Sequence, residues 1–203
     1  MDPKSRLNEI ATKRGSAAIL ARLRWIDDRI FWIGRLSRSE ISKAFSISMT
    51  QASIDIAEYA RIAPDNILPR PDRSYGPSPA FKPLFPKEPR VFLESAQDAP
   101  GGFPLRIERA DGAWRDAPLD VLAAIISASV AKEPVTATTP DGRIVLCPYR
   151  LVDDTGILFV RGWDHEAGVV VVLPVADLSD PRREQGLPWI DASADRTPVG
   201  APR

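Results

Sequence analysis

Ser37 with Glu40 and Ser48 with Gln51 repeat one spacing, Ser-x-x-Glu or Ser-x-x-Gln, eleven residues apart. That spacing is a capping box: the serine hydroxyl accepts from the backbone N–H of the fourth residue, whose side chain reaches back to the serine N–H. Two helices therefore start close together, with only "FSIS" as a tight turn between them. Polar side chains at the start of the second helix of such a pair are of the type that reads base edges, and Thr50, Gln51 and Ser53 hold those places. Gln51 has two roles open to it, a base contact or its own cap. Phosphate oxygens call instead for guanidinium, ammonium and hydroxyl groups. Ser37, Arg38, Lys43, Arg70 and Arg73 supply these, with Ser48 at the helix start itself.

A second polar group lies in the C-terminal half. Tyr149, Arg150, Arg161 and His165 suit a pocket for an anionic ligand, with Arg161 making a charge-assisted contact. The alternative for Arg161 is an ion pair with Asp153, Asp154 or Asp164. His165 stands between Asp164 and Glu166, but consecutive residues of a strand point to opposite faces and no nucleophile completes a constellation, so no catalysis is expected. Cys147, the one cysteine, precedes a proline in a strand and reads as a core thiol. One cysteine and one histidine exclude an internal disulfide and argue against a zinc site built from those residues. No cofactor is expected.

The elements that position these residues follow from periodicity. Ile19, Leu20, Leu23, Ile26, Ile30 and Ile33 form a helical stripe that Gly34 stops. Ile41, Ala44 and Phe45 are expected to face inward from a second helix, and Ala52, Ile56 and Tyr59 from a third, with Ile47 plugging the turn. "NILPRPDRSYGPSP" reads as two extended pieces around a Pro-Asp-Arg-Ser turn. Three helices and a hairpin are the order of a winged helix-turn-helix, whose third helix enters the major groove while the hairpin touches flanking backbone. Residues 76–118, rich in proline and glycine, are expected to be a connector. Beyond it "LDVLAAIISASVAK" is apolar nearly all round and hence a buried helix. Asp-Gly, Thr-Gly and Ala-Gly turns then separate β-rich runs, as in an antiparallel meander or small barrel. The expected division is a DNA-binding domain over residues 1–75, a connector over 76–118, a barrel over 119–190 and a flexible tail over 191–203.

The chain of 203 residues is 44% hydrophobic and can bury a sizeable core. No apolar run reaches the roughly 18 residues of a membrane span, and the N-terminus lacks an apolar signal core, so no membrane partner and a cytoplasmic location are expected. The zero net charge conceals an asymmetry. Up to Arg90 there are 16 Lys and Arg against 10 Asp and Glu, and beyond it 11 against 17. The N-terminal part is the one suited to a polyanion.

The stretch from Arg24 to about Phe85 resembles the N-terminal winged helix of the WYL-domain transcriptional regulators that accompany bacterial defence systems. Gln51, Ala52, Ser53 and Asp55 match that family's recognition-helix run. Ile62, Ala63, Pro64 and Asn66 match the segment after it, and Phe81 and Pro83 the Phe-x-Pro after the wing. The C-terminal half is similar to the WYL domain, a small Sm-like β-barrel, in Pro148, Gly156, Arg161, His165 and Glu166. Leu158, Phe159 and Val160 replace the Trp-Tyr-Leu signature, and "VVVVLPVADL" lacks the basic residue of the next strand. Little chain is expected after the barrel for the C-terminal extension that many relatives use in dimer contacts. The resemblance implies an α+β protein with a winged helix-turn-helix ahead of an Sm-like barrel. It implies a transcriptional regulator, acting as a homodimeric repressor on an inverted repeat in double-stranded DNA, with a nucleotide-like or other anionic effector. The alternative is an interaction or DNA-delivery accessory subunit whose WYL-like domain no longer senses a ligand.

Overall fold

A computed structural model describes residues 3–12, 15–97, 103–108, 114 and 117–194; the end of the expected tail, 195–203, lies outside the described residues. The chain divides into two compact units, Met1–Lys87 and Glu88–Arg203.

The first unit holds α1 (Pro3–Ala11), α2 (Ser16–Asp28) continued by a π-helical turn (Arg29–Ile33), α3 (Arg38–Phe45) and α4 (Met49–Ile62), then β1 (Ile67–Pro69) and β2 (Tyr75–Pro77). The expected stripe of α2 is the core: Leu23, Ile26 and Ile30 are fully buried against Ile41, Ala52, Ile56 and Tyr59, with Ile19, Leu20, Phe45 and Ile47 at the edge. Gly34 closes the helix at φ 71°, a left-handed conformation that glycine adopts without Cβ strain. Ala44 does not face inward. It is exposed, because the inner face of α3 runs one turn from Ile41 to Phe45 and Ala44 falls to the solvent side. α1 was not foreseen; its Ile10 and Leu7 pack on the same core.

Asp27 sits in the apolar stripe of α2 and is completely buried. A buried carboxylate persists only when its acceptor sites are filled. Tyr59 of α4 donates to it at 2.5 Å, the backbone N–H groups of Leu84 and Phe85 donate at 3.1–3.2 Å, and the buried Lys87 ammonium pairs with it and with Asp28. Asn66 donates to Tyr59 at 3.0 Å and to the Lys82 carbonyl at 2.7 Å, and its own oxygen accepts from the Lys82 N–H. Residues 76–87, expected as the start of a connector, thus lie folded on the first unit, with Phe81, Leu84 and Phe85 against its core.

The second unit contains α5 (Pro89–Gln97), β3 (Arg106–Glu108), α6 (Leu119–Ala131), β4 (Val135–Thr139), β5 (Gly142–Asp154), β6 (Ile157–Asp164), β7 (Val169–Pro174), a 3-10 turn (Val175–Asp177) and β8 (Ser179–Arg183). α6 is buried as expected, through Val121, Leu122, Ile125, Ile126 and Ala128. Thr155 and Gly156, both at positive φ, make the two-residue turn from β5 to β6. The strands follow the order β7-β6-β5-β4-β8, so the expected closed barrel is instead an open sheet with β7 and β8 at its ends. Pro181 in β8 has no N–H for a further ladder, which suits an edge. The sheet is also not wholly antiparallel, since β3 runs parallel to β5. Among the described residues no helix is long and apolar enough to cross a membrane.

Two consequences follow for the first unit. Asp27→Ala leaves the Lys87 charge buried beside one remaining partner and is expected to cost about 3–5 kcal/mol, read by urea unfolding. Burial, with the adjacent Asp27 carboxylate, pushes the Tyr59 phenol well above its usual value. The folded state therefore holds a proton that the unfolded chain releases first. This stability is fully present below about pH 10 and is lost as pH rises above it. Thermal unfolding between pH 8 and 11 should show that loss in the parent and its absence in Tyr59→Phe.

Candidate nucleic-acid interface

The interface is built on α3, the turn and α4. Ser37 caps α3 from an extended conformation, its hydroxyl accepting from the Glu40 N–H at 3.3 Å while Glu40 accepts from the Ser37 N–H at 2.7 Å. Glu40 is further held by an ion pair with Arg29. Ser46 then turns the chain at φ 51°, and the Ser42 hydroxyl donates to the Ile47 carbonyl at 2.7 Å across the corner.

The second expected capping box is half made. Ser48 accepts from the Gln51 N–H at 3.1 Å, but the Gln51 side-chain amide donates to Asp55 at 3.0 Å rather than reaching back. Asp55 wins because it is a buried carboxylate one turn along the same helix, already gripped by Arg22 of α2 at 2.6 and 3.2 Å. Ser53 turns its hydroxyl onto the Met49 carbonyl at 3.0 Å. Thr50 and Ser48 are exposed, whereas Gln51 and Ser53 are half-buried.

The wing is tied to the helices by an exchange between Leu36 and Tyr75, each donating its N–H to the other's carbonyl at 2.9 and 2.7 Å. At its tip Arg73 is exposed at φ 62°, and Asp72 accepts from the Ser74 hydroxyl and N–H. Those two bonds, with Arg35 alongside, hold the Asp72 carboxyl down at about 2. The Arg70 guanidinium lies where a Cβ on Gly76 would stand. Arg38 and Lys43 on α3 are exposed. Sequence reasoning passed over Arg22, Asp55's burial and the exposed Ile54; an acidic residue on the inner face of an amphipathic helix was the available signal.

The second group of candidates falls into three places. Tyr149 and Arg161 come together, both buried, the Arg161 Nε donating to the Tyr149 hydroxyl at 2.9 Å. A register shift between Pro148 and Arg150 sets Tyr149 out of the regular pairing and brings Arg150 opposite Arg161. Arg150 pairs with Glu108 at 2.6 Å, while His165 Nε2 lies 3.4 Å from Cys147 Sγ. Burial raises the pKa of the Cys147 thiol, which suits a core thiol rather than a nucleophile. Asp153 accepts from the Trp114 indole at 2.8 Å. Among the described residues no cluster of three or more His, Cys, Asp and Glu could hold a metal ion.

Residues 18–91 match the BrxR transcriptional regulator winged helix-turn-helix domain. The chain is 28% identical over 172 residues to the DNA-binding transcriptional repressor CapW of Escherichia coli (strain KTE188), an alignment covering 72% of this chain and 55% of that protein. It is 42% identical over 66 residues to the repressor of the same name from Pseudomonas aeruginosa, covering 32% of this chain and 22% of that one. A third, from Stenotrophomonas maltophilia, is 41% identical over 64 residues, covering 31% and 21%. The chain spans about half the length of the Escherichia coli relative it matches.

The two helix starts should respond differently to truncation. Ser37→Ala and Ser48→Ala each remove a cap and should cost about 1 kcal/mol in urea unfolding. Gln51→Ala leaves the Ser48 cap intact and instead removes a donor from the buried Asp55, so its loss should add to that of Ser48→Ala in the double variant.

Proposed function

On the premise that this chain carries a winged helix-turn-helix domain of the BrxR regulator type, we propose that it is a sequence-specific DNA-binding transcriptional regulator, a homodimeric repressor acting on an inverted repeat. The observation that carries the reading is the exposed outer face of α4, whose helix is fixed to α2 by Arg22–Asp55 and Asp27–Tyr59 and flanked by a wing hydrogen-bonded to the helical core. An α-helix fits the major groove, and a reader with a rigid mount keeps its register along the bases. In this reading Thr50 faces the base edges, flanked by Gln51 and Ser53, whose polar groups are engaged by Asp55 and the Met49 carbonyl. Ser37, Arg38, Lys43, Ser48, Arg70 and Arg73 serve the phosphates. The Escherichia coli relative, named a DNA-binding transcriptional repressor, supports the assignment over the 72% of this chain that it covers.

The second unit supplies the dimer contacts or the sensing of an anionic effector. A leading helix and the strand order β7-β6-β5-β4-β8, with a 3-10 turn before the last strand, support an Sm-like reading of its open sheet. The engagement of Arg150 with Glu108 favours the second reading, in which this unit has exchanged ligand sensing for a scaffold or interaction role. Cytoplasmic action follows from the DNA-binding role.

Purified protein should bind duplex DNA from its own upstream region more tightly than a scrambled duplex, with an affinity falling steeply with salt. Arg73→Ala should weaken all duplexes alike and make the slope of log affinity against log salt shallower by about one unit. Equal binding to every duplex at each salt concentration contradicts the regulator and favours an accessory role. Sedimentation should show a dimer on the inverted repeat.

A further inference from the structure

We propose that the recognition helix reads thymine through its 5-methyl group, with Ile54 as the central reading residue. This rests on the major-groove role of α4 and says what that helix recognises there. At about 100° per residue, Thr50, Ile54 and Ala57 stand opposite the buried Ala52, Ile56 and Tyr59, and all three are exposed. Ile54 is 55% exposed. The polar side chains of the same turns are committed within the helix: the Ser48 hydroxyl to its cap, the Gln51 amide to Asp55 and the Ser53 hydroxyl to the Met49 carbonyl. Over its first turns the outer face therefore presents two aliphatic side chains, Ile54 and Ala57, with Thr50 ahead of them, and the exposed Arg61, paired with Glu58, follows on the same stripe.

An exposed isoleucine in the middle of a helix keeps about half its surface in water without a packing reason in its own unit. Its occupant is apolar, small and set in an anionic frame, because the same unit exposes Arg38, Lys43 and Arg73 and carries the chain's excess of Lys and Arg. The thymine methyl has that character. It is the one apolar group on the major-groove edge of the bases, and aliphatic contact with it distinguishes T from C without a hydrogen bond.

The test uses the full chain and its preferred duplex from the upstream region, with thymines replaced one at a time by deoxyuridine. This removes the methyl and keeps the base pair. Fluorescence anisotropy should show affinity falling about fourfold at one or more positions, the size of one buried carbon. Ile54→Ala should bind the parent duplex more weakly and no longer distinguish thymine from deoxyuridine at a position where the parent does. Ile54 lies outside the core, so its variant should unfold at the parent temperature. Preference for the parent over a scrambled duplex with no response to any deoxyuridine overturns this inference and leaves the DNA-reading role standing. Full thymine discrimination retained in Ile54→Ala also overturns it. Equal binding of the parent protein to its upstream duplex and to the scrambled one overturns both. A dimer in the absence of DNA that Ile54→Ala dissociates assigns the face to a second copy of the chain and overturns the inference as well.

Discussion

The first unit depends on a carboxylate placed where a carboxylate is most costly. Asp27, inside the apolar stripe of α2, brings α4 to itself through Tyr59 and the segment after the wing through the backbone of Leu84 and Phe85 and the Lys87 ammonium. Each donor is needed to offset the desolvation of the charge, so the partners are ordered together or not at all. Arg22 and Asp55 form a second clamp between the same two helices. Between the two clamps lie Leu23, Ile26 and Ile56, which supply apolar burial but little directional preference. The Arg22–Asp55 ion pair and the Tyr59–Asp27 hydrogen bond set which faces of α2 and α4 meet, and hence which face of α4 stays outside.

That division of labour explains what the sequence made legible. Apolar periodicity located α2, α3 and α4 because burial repeats every turn, and Ser37 and Ser48 marked two helix starts through local hydrogen bonds. The hairpin was legible from Pro-Asp-Arg-Ser. Gln51 was not, since its spacing is compatible with a cap and only the fold shows that Asp55 competes for its amide. Asp27 was visible as a charge at an apolar position, yet its partners lie up to 60 residues away. β3 is defined by its pairing with β5 rather than by its own three residues.

In the second unit turn chemistry located the strands, but closure of the sheet is a long-range property that turns do not encode. Tyr149, Arg150, Arg161 and His165 looked alike as polar residues in an apolar stretch. Their partners separate them: the Tyr149 hydroxyl accepts from Arg161, while Arg150 is answered by Glu108 and His165 by Cys147. The mount of α4 is thus built from interactions within the first unit, and the polar candidates of the second largely answer neighbours in their own sheet.

The most direct test of the account is where α4 lies on DNA. With the photo-crosslinking residue p-benzoylphenylalanine in place of Ala57 on the outer face of α4, and separately in place of Arg73 at the wing tip, irradiation on the preferred duplex followed by mapping of the adducts reads both positions. The account predicts adducts from position 57 on bases inside the preferred site and from position 73 on the flanking sugar-phosphate backbone. Adducts from position 73 with none from position 57 would place α4 away from the bases and contradict it.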